Sequence, residues 1–366
     1  MISDPVRLGE VSFTILTIEL EGTALAIADI NADGAPDVLS AGTRLAVLLG
    51  DGEGGLRRAH VAPAGDNPVE LAISDLNADG HADLVVANHE AHYVTLLLGD
   101  GTGRFTPADG SPHPIDVDPH PHAAAAADLD GDGRPDLLVD HSPRGARDPG
   151  LRNDPGGVLV QRGLADTRFD QPGLVIETGG VPYRGFTLAD INNDGRPDLI
   201  APLDRSVAVL LNSSAQGHVS FEPVPTVRAE APFTVAVGDL NADDHPDLIV
   251  GAGEESASVE VHLGDGQGQF EPAPGSPFRH TRGGKNARVG DFNADGFDDV
   301  AIAAYSSDSV LILLGGRDAI RTATLPAGHE HPWGLATGDL NADGADDLIV
   351  IGDGDRHARL FLSDRR

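Results

Sequence analysis

A nine-residue segment that recurs seven times constrains the fold of this chain more than any other feature of the sequence. Its first copy, Asp29–Asp37, has aspartate at positions 1, 5 and 9, asparagine at position 3 and glycine at position 6. The copies start at Asp29, Asp75, Asp128, Asp190, Asp239, Asp291 and Asp339, so one repeat unit is about 50 residues long. Sequences with this period form repeat architectures, in which each unit buries its apolar surface against its neighbours.

Short apolar runs flank every copy of the segment. In the first unit Ala24–Ala28 precedes it and Val38–Leu39 follows it, and both runs are too short for a helix. A third run such as Leu45–Leu49 comes next, and a fourth often opens with an aromatic residue such as Phe105 or Phe169. Four antiparallel strands in each of seven units predict an all-β, seven-bladed β-propeller.

The two ends of the chain predict how such a ring closes. The last unit runs out at Leu360–Leu362, after its third strand, whereas the apolar run Val11–Ile18 precedes the first unit. If Val11–Ile18 pairs as the outer strand of the last blade, both termini contribute to one blade and protect its edges. We therefore expect residues 1–366 to form one domain.

The repeated loops are rich in oxygen ligands. Alternate side chains of a tight loop can converge on one point, where the backbone carbonyl of position 7 can join them, and calcium takes six to eight oxygen ligands. The sequence predicts up to seven structural calcium sites, with these ligands: Asp29, Asn31, Asp33, Asp37, Asp75, Asn77, Asp79, Asp83, Asp128, Asp130, Asp132, Asp136, Asp190, Asn192, Asp194, Asp198, Asp239, Asn241, Asp243, Asp247, Asp291, Asn293, Asp295, Asp299, Asp339, Asn341, Asp343 and Asp347.

Two other interpretations of these loops fit the sequence less well. Asp and Asn are also favoured in turns that bind no ion. An EF-hand would require glutamate at position 12, where this chain has residues such as Ser40, Val86 and Ala201. Glycine occupies position 6, where a positive φ is expected, in every copy except the fifth, which has Asp244.

These residues resemble the integrin-α-type FG-GAP/VCBS repeat. The resemblance rests on the Asp-x-Asn-x-Asp-Gly-x-x-Asp pattern inside four-stranded units and on trailing Gly-Asp-Gly turns such as Gly50–Gly52, and it covers about residues 6 to 364. It implies a seven-bladed propeller whose loops bind calcium on the lower face. Proteins of this family include adhesion receptors, lectins, polysaccharide lyases and dehydratases, so the resemblance does not fix an activity.

Composition narrows the range of partners. The chain has 58 acidic and 25 basic residues and a net charge of −33, which disfavours nucleic acid and anionic membranes. It contains no cysteine, which excludes disulfides and thiolate chemistry, and no apolar run long enough to span a membrane. Because it begins without a secretion signal, we expect a soluble protein, cytoplasmic as given or extracellular if a signal has been removed. We also expect it to be a monomer.

Function is expected where the repeats differ. By analogy with the family, the upper face is formed by the segments that lead into the first strand of each blade and by the loops that join the second and third strands. Counted backwards from the first aspartate of each loop, position −8 holds Glu21, Asn67, His120, Pro182, Ala231, Gly283 and His331, and position −6 holds Thr23, Val69, His122, Arg184, Phe233, Lys285 and Trp333. If these positions alternate along one strand, both sets surround the channel mouth.

The candidate site residues come from these positions and their neighbours. His120, His122 and His331 are candidates for acid–base groups or for ligands of a single transition metal. Arg184, Lys285 and Arg288 are candidates for holding an anion, and Trp333 and Tyr183 for stacking on a ligand. His89 and His92 follow the second strand of blade 2 and are expected near the same mouth. The alternative is that these are ordinary polar residues of exposed loops, since no sequence motif for a metal or a nucleophile supports them.

The sequence thus leaves three functions open. The favoured one is a calcium-stabilised propeller that binds a small molecule, a glycan or a protein on its upper face. The alternative is an enzyme of lyase, isomerase or cyclase type with a site lined by His, Arg and Lys at the channel mouth. A pure scaffold is the third, and it predicts a flat upper face.

Overall fold

A computed structural model describes residues 6–8, 11–89, 91–115, 121–141, 156–182, 185–253, 256–279 and 282–363. In these residues the chain forms seven four-stranded antiparallel blades arranged as a β-propeller. Helical structure among them is confined to one short 3₁₀ turn, Tyr305–Ser307. The predicted fold class is confirmed.

The strands follow one another blade by blade. Two precede the first blade: β1 (Val6–Leu8) and β2 (Val11–Glu19). Blades 1 to 3 contain β3 (Ala24–Ala28), β4 (Asp37–Ala41), β5 (Arg44–Gly50), β6 (Leu56–Pro63); β7 (Pro68–Ser74), β8 (Asp83–Asn88), β9 (Tyr93–Gly99), β10 (Phe105–Pro107), β11 (His113–Pro114); β12 (Ala124–Ala127), β13 (Asp136–His141), β14 (Gly157–Gln161) and β15 (Leu174–Glu177). Blades 4 to 7 contain β16 (Thr187–Ala189), β17 (Asp198–Pro202), β18 (Ser206–Asn212), β19 (Phe221–Pro223), β20 (Val227–Arg228); β21 (Pro232–Gly238), β22 (Asp247–Ala252), β23 (Ser258–Gly264), β24 (Phe270–Pro272), β25 (Phe278–Arg279); β26 (Gly284–Gly290), β27 (Asp299–Ala304), β28 (Ser309–Leu314), β29 (Arg321–Pro326); β30 (Pro332–Gly338), β31 (Asp347–Gly352) and β32 (His357–Ser363).

The ring closes as the termini predict. Strand β2 pairs antiparallel with β32, in a register that sets Ile15 opposite Phe361, and so becomes the outer strand of blade 7. Strand β1 pairs with β2 and forms the outermost strand of the same sheet. The ring is therefore held shut by hydrogen bonds between its first and last strands.

The core lies between the blades. Seven clusters of buried apolar residues occur among the described residues, one between each pair of neighbouring blades. Second strands such as β8 and β22 are buried at every position, because both faces of a blade pack on a neighbour. Apolar runs without alternation are the sequence signature of such strands, as predicted.

One strand starts later than the sequence predicts. Phe169 opens no regular strand and forms only an isolated bridge with Gly163, whereas the outer strand of blade 3 begins at Leu174. The aromatic residue still packs inward, against the ring of His113 from blade 2. Aromatic residues at this point therefore mark inward packing and not always the first residue of a strand.

A bulge shapes the start of the inner strand in blades 2, 5, 6 and 7. The pairing with the second strand skips one residue there, and the skipped residues are Val69, Phe233, Lys285 and Trp333, all at position −6. The residue at position −8 has a positive φ in the same blades: Asn67, Ala231, Gly283 and His331. A simple alternation of positions −8 and −6 along one strand is therefore wrong in these blades, because a bulge inserts an extra residue and redirects its side chain.

Candidate functional site

A cavity of about 1230 Å³ occupies the mouth of the central channel, and we call it the mouth cavity. All six described residues of position −6 line it: Thr23, Val69, His122, Phe233, Lys285 and Trp333. Of position −8, Asn67 and Ala231 line it, whereas His331 does not. The upper face of the ring is thus concave, not flat.

Three aromatic rings surround the only lysine of the chain. The Lys285 ammonium lies 4.2 Å from the ring centre of Phe233 and 5.2 Å from those of Tyr305 and Trp333. Trp333 meets both other rings edge to face, at 6.5 Å from Phe233 and 5.7 Å from Tyr305. Such cation–π contacts hold the ammonium and the rings in one arrangement. Blades 5, 6 and 7 therefore supply an aromatic wall with a fixed positive charge.

An ion pair crosses the channel below this wall. Arg288 Nη2, on inner strand β26, donates to Glu70 Oε1 at 3.1 Å, and Glu70 lies on inner strand β7. Blades 2 and 6 are not neighbours, so this contact spans the channel between their inner strands. Burial raises the pKa of the Glu70 carboxyl, and the Arg288 guanidinium partly opposes this rise.

Two histidines form the opposite wall. The rings of His89 and His122 meet edge to face, with centres 4.8 Å apart, and both line the mouth cavity. Buried Asp140 accepts hydrogen bonds from the backbone N–H groups of His122 and Ala123, each at 2.8 Å, through one oxygen. Its second oxygen lies 3.7 Å from His122 Nδ1. Asp140 thereby anchors the backbone of the segment that leads into β12, and its second oxygen lies just beyond hydrogen-bond distance of the His122 imidazole.

The remaining candidates lie elsewhere. His331 lies at the exposed rim, where its ring packs at a tilt against that of Tyr305, with centres 4.6 Å apart, and its backbone N–H donates to Asp308. His92 is exposed and does not line the mouth cavity. The candidates His120, Tyr183 and Arg184 fall outside the described residues.

Sequence reasoning missed three residues of this site. Glu70 and Tyr305 escaped notice, and Asp140 was not connected with His122 because the two lie 18 residues apart, on opposite sides of the nine-residue loop. The sequence does distinguish Glu70, because it is the only charged residue at position −5 in the seven repeats. Arg288 is likewise the only charged residue at position −3.

The nine-residue loops on the opposite face share one hydrogen-bond pattern. In the loop of blade 6, Asp291 accepts from the N–H groups of Asp295 at 3.1 Å and Gly296 at 2.9 Å, and Asp295 accepts from Phe297 at 3.0 Å. Both position 4 and position 6 have positive φ in every loop, as Ala294 at 54° and Gly296 at 84° show. The carboxylates of positions 1 and 5 are thereby turned toward the inside of the loop.

The aspartate at position 9 ties each loop to the blade. Asp299 accepts hydrogen bonds from Phe292 N–H at 3.0 Å and from Gly315 N–H, at the end of the third strand, at 2.8 Å. All seven equivalents are buried. Burial raises their pKa values, to about 6 for Asp136 and Asp247 and to about 7 for Asp299 and Asp347, while the backbone hydrogen bonds oppose the rise. A cation beside these carboxylates would favour their ionised form.

The donor set suits a hard cation. In the third loop, oxygens of Asp128, Asp130 and Asp136 lie within 4.8 Å of one another, a group that could hold a metal ion. In the fifth loop, no described residue donates to the buried Asn241 Oδ1. Asp244 adopts the positive φ of 66° that glycine has elsewhere and makes the same bond to Asp239. By contrast, no third His, Asp or Glu among the described residues joins His89 and His122 in a metal-binding group.

No helix among the described residues has the length and apolar character needed to cross a lipid bilayer.

Comparison with known families gives a match over most of the chain. The family model for FG-GAP-like repeats matches residues 29–86, 75–139, 190–250, 239–302 and 291–350. Each matched segment begins at the first aspartate of one nine-residue loop and ends within the second strand of the next blade. No curated protein sequence matches the chain.

Solved structures share the fold over nearly the full length at low identity. An Agrocybe aegerita lectin that recognises non-reducing terminal N-acetylglucosamine is 15% identical, with a TM-score of 0.56, 94% of this chain covered and 97% of the lectin. BBS1N in complex with ARL6DN is 12% identical, with a TM-score of 0.60 and coverage of 95% and 94%. A functionally unknown protein from Desulfotomaculum acetoxidans is 15% identical, with a TM-score of 0.57 and coverage of 89% and 94%. At such identities the likeness concerns the fold alone.

Proposed function

Because the chain belongs to the FG-GAP-like repeat family, we propose that its propeller is a calcium-stabilised scaffold that binds a ligand in the mouth cavity. The observation that carries the proposal is the cavity itself. Its volume of about 1230 Å³ exceeds what most small ligands need. Its walls also combine the apolar, cationic and polar groups by which small-molecule sites fix a ligand.

The pattern of repetition supports this assignment. The loops of the opposite face are nearly identical in all seven repeats, as a structural role requires. The residues that line the mouth cavity at position −6 differ in every described blade. Variation at the mouth, combined with near-identical loops on the opposite face, is the arrangement expected of a recognition site on a repeat scaffold.

Calcium is proposed for the loops of the opposite face. Positions 1, 3, 5 and 9 would hold it through three carboxylates and one amide oxygen, with Asp130 as a fourth carboxylate in the third loop. Bound calcium would neutralise carboxylates that otherwise repel one another across each loop. Magnesium fits less well, because it demands a stricter octahedral geometry.

The only tryptophan of the chain, Trp333, gives a direct test. Its fluorescence is measured against a panel that includes N-acetylglucosamine, small carboxylates and peptides, chosen because relatives of this fold bind a sugar and a protein. We expect saturable changes with at least one class of compound. A panel that leaves Trp333 unchanged throughout would contradict a ligand site at the mouth.

A second candidate, an enzyme of lyase, isomerase or cyclase type, is favoured by one observation. His122 lines the mouth cavity, and a carboxylate oxygen of buried Asp140 lies 3.7 Å from its Nδ1. Catalytic acid–base contacts are often longer than a hydrogen bond in the free protein and tighten when a ligand binds. A ligand found with the panel should then be converted by the wild type, whereas His122→Gln should bind it without conversion. Recovery of the ligand unchanged from the wild type would argue for binding alone.

A further inference from the structure

The guanidinium of Arg288, one partner of the ion pair that crosses the channel, is also held by hydrogen bonds within its own strand. Besides Glu70, Arg288 donates through Nη1 to Asn286 Oδ1 and to the Ala287 carbonyl. These acceptors lie on the same strand as Arg288, so they hold the guanidinium in place whether or not Glu70 is bound to it. Both members of the pair line the mouth cavity and are partly exposed, Arg288 to 29% and Glu70 to 33%. A molecule inside the cavity can therefore reach them.

The Arg288 guanidinium favours the ionised form of Glu70. The inner strands on either side of β7 are β3 (Ala24–Ala28) and β12 (Ala124–Ala127), which carry no titratable side chain. The aspartates of β8 and β4 lie at their first residues, Asp83 and Asp37, at the opposite end from Glu70.

At the mouth end of β7 lies His89, and across the channel lie Lys285, held by aromatic rings, and Arg288. Burial raises the pKa of Glu70, and the Arg288 guanidinium is the charge that opposes the rise. Without Arg288, an ionised Glu70 would be a poorly solvated charge.

We propose that the mouth cavity takes a ligand carboxylate that replaces Glu70 on Arg288, and that Glu70 takes up one proton from solvent when it is displaced. This inference rests on the proposed ligand site and names the chemical class of its ligand. The exchange conserves charge in the cavity: one carboxylate leaves the guanidinium, another takes its place, and the proton neutralises the first. Glu70 thus occupies the ligand's position in the free protein.

The rest of the cavity indicates what the carboxylate is attached to. Trp333 and Phe233 offer ring surfaces beside the cationic groups, so a flat or apolar body fits next to the carboxylate. The acidic residues of the lining, Asp204, Glu230 and Asp353, are exposed, and solvent screens their repulsion of an anion. Benzoate has the required charge and shape, and benzamide is its neutral counterpart.

The test uses calorimetry of the full chain with benzoate in two buffers of different protonation enthalpy, with Trp333 fluorescence as the report of location. For the wild type we expect heats that differ between the buffers by the uptake of up to one proton, and an affinity that falls as pH rises. In Glu70→Gln the buffer difference should vanish, and benzoate should bind roughly tenfold more tightly because a neutral amide competes less for the guanidinium. Asp170→Asn is the matched control, since it breaks an ion pair of similar exposure with Arg162 outside the mouth cavity, and it should behave as the wild type.

Different results would contradict different parts of the proposal. Wild-type heats that are equal in both buffers, or benzamide binding as tightly as benzoate, would overturn the exchange while leaving the ligand site in place. The carboxylate assignment would be overturned if benzoate left the Trp333 fluorescence unchanged in both the wild type and Glu70→Gln. The titration extends to about 50 mM, well above the millimolar dissociation constants of weak sites. The wider ligand panel then decides separately whether the mouth binds any ligand. The wild-type measurement stands even if Glu70→Gln folds poorly.

Discussion

At the scale of single residues, Asp140 shows how a buried carboxylate can stabilise the fold by accepting backbone hydrogen bonds. One of its oxygens accepts two backbone N–H groups, from His122 and Ala123, at the edge of the mouth cavity. Asp140→Ala should destabilise the protein by about 2 kcal/mol or more, because both amides lose their acceptor in a buried place. Urea unfolding measures this difference. Asp140→Asn keeps one acceptor oxygen, so it should cost less, and equal losses for the two variants would contradict this account.

Lys285 is the only lysine of the chain, so a single substitution removes the only side-chain ammonium. Lys285→Met retains the apolar length of the side chain but removes the charge, and it should cost about 1 kcal/mol through the lost cation–π contacts.

Thermal unfolding and the Trp333 emission spectrum measure the effect of Lys285→Met, and Lys285→Arg is the control that keeps a cation over the rings. A spectrum and stability unchanged in Lys285→Met would mean that the cluster holds without its ammonium.

At the scale of elements, neighbouring inner strands approach so closely that the residues at their points of contact must be small. A Cβ on Gly334 of β30 would lie 2.7 Å from the backbone oxygen of Thr23 in blade 1, which cannot move aside easily. Gly334→Ala should therefore destabilise the ring by about 2 kcal/mol, within the range for overpacked sites. Gly338→Ala on the same strand meets only the side chain of Ile27, so it should cost less, and chemical denaturation compares the two. The reverse order would show that neighbouring inner strands can separate.

Elements also show what the sequence can and cannot predict. The loops and second strands were predictable because each is a local pattern repeated in every unit, and the pairing of β2 with β32 followed from a missing fourth strand. The bulges at Phe233 and Trp333 were not, since an extra residue is fixed by pairing across the blade and leaves no period in the sequence. The contact of Glu70 with Arg288 joins residues 218 positions apart, which only the closed ring brings together.

At the scale of the whole molecule, the pairing of β2 with β32, which we call the latch, leads to a prediction about ring closure. Strand β2 buries Phe13 and Ile15 against blades 6 and 7 and covers the edge of β32. Removing residues 1–19 should expose that edge and its apolar cluster, so we expect a broader, less cooperative thermal transition and aggregation. Light scattering and calorimetry measure this outcome. Adding a peptide of residues 6–19 back in excess should restore a sharp transition, and a truncated chain as stable as the full one would show that the ring closes without its latch.

The charge of the whole molecule predicts a large contribution of bound calcium to stability. The chain has a net charge of −33, and seven of its carboxylate clusters are built into loops that also anchor the strands. A cation that binds only the folded loops stabilises each by about 2.7 kcal/mol at a hundred times its dissociation constant. Chelation should therefore lower the melting temperature by many degrees in calorimetry, and calcium should restore it at concentrations where magnesium does not.

The third loop gives the sharpest variant for the calcium prediction. Asp130 adds a carboxylate where the other loops have asparagine, and Asp130→Asn gives this loop the donor set of the rest. Asp132→Ala, by contrast, removes a ligand that every loop shares, so it should lower the calcium stoichiometry by one while Asp130→Asn preserves it. Because seven loops act together, losing one site should lower the melting temperature only slightly, and chelation should lower it much further. If chelator left the wild-type melting temperature unchanged, the loops would stabilise the ring through their hydrogen bonds alone.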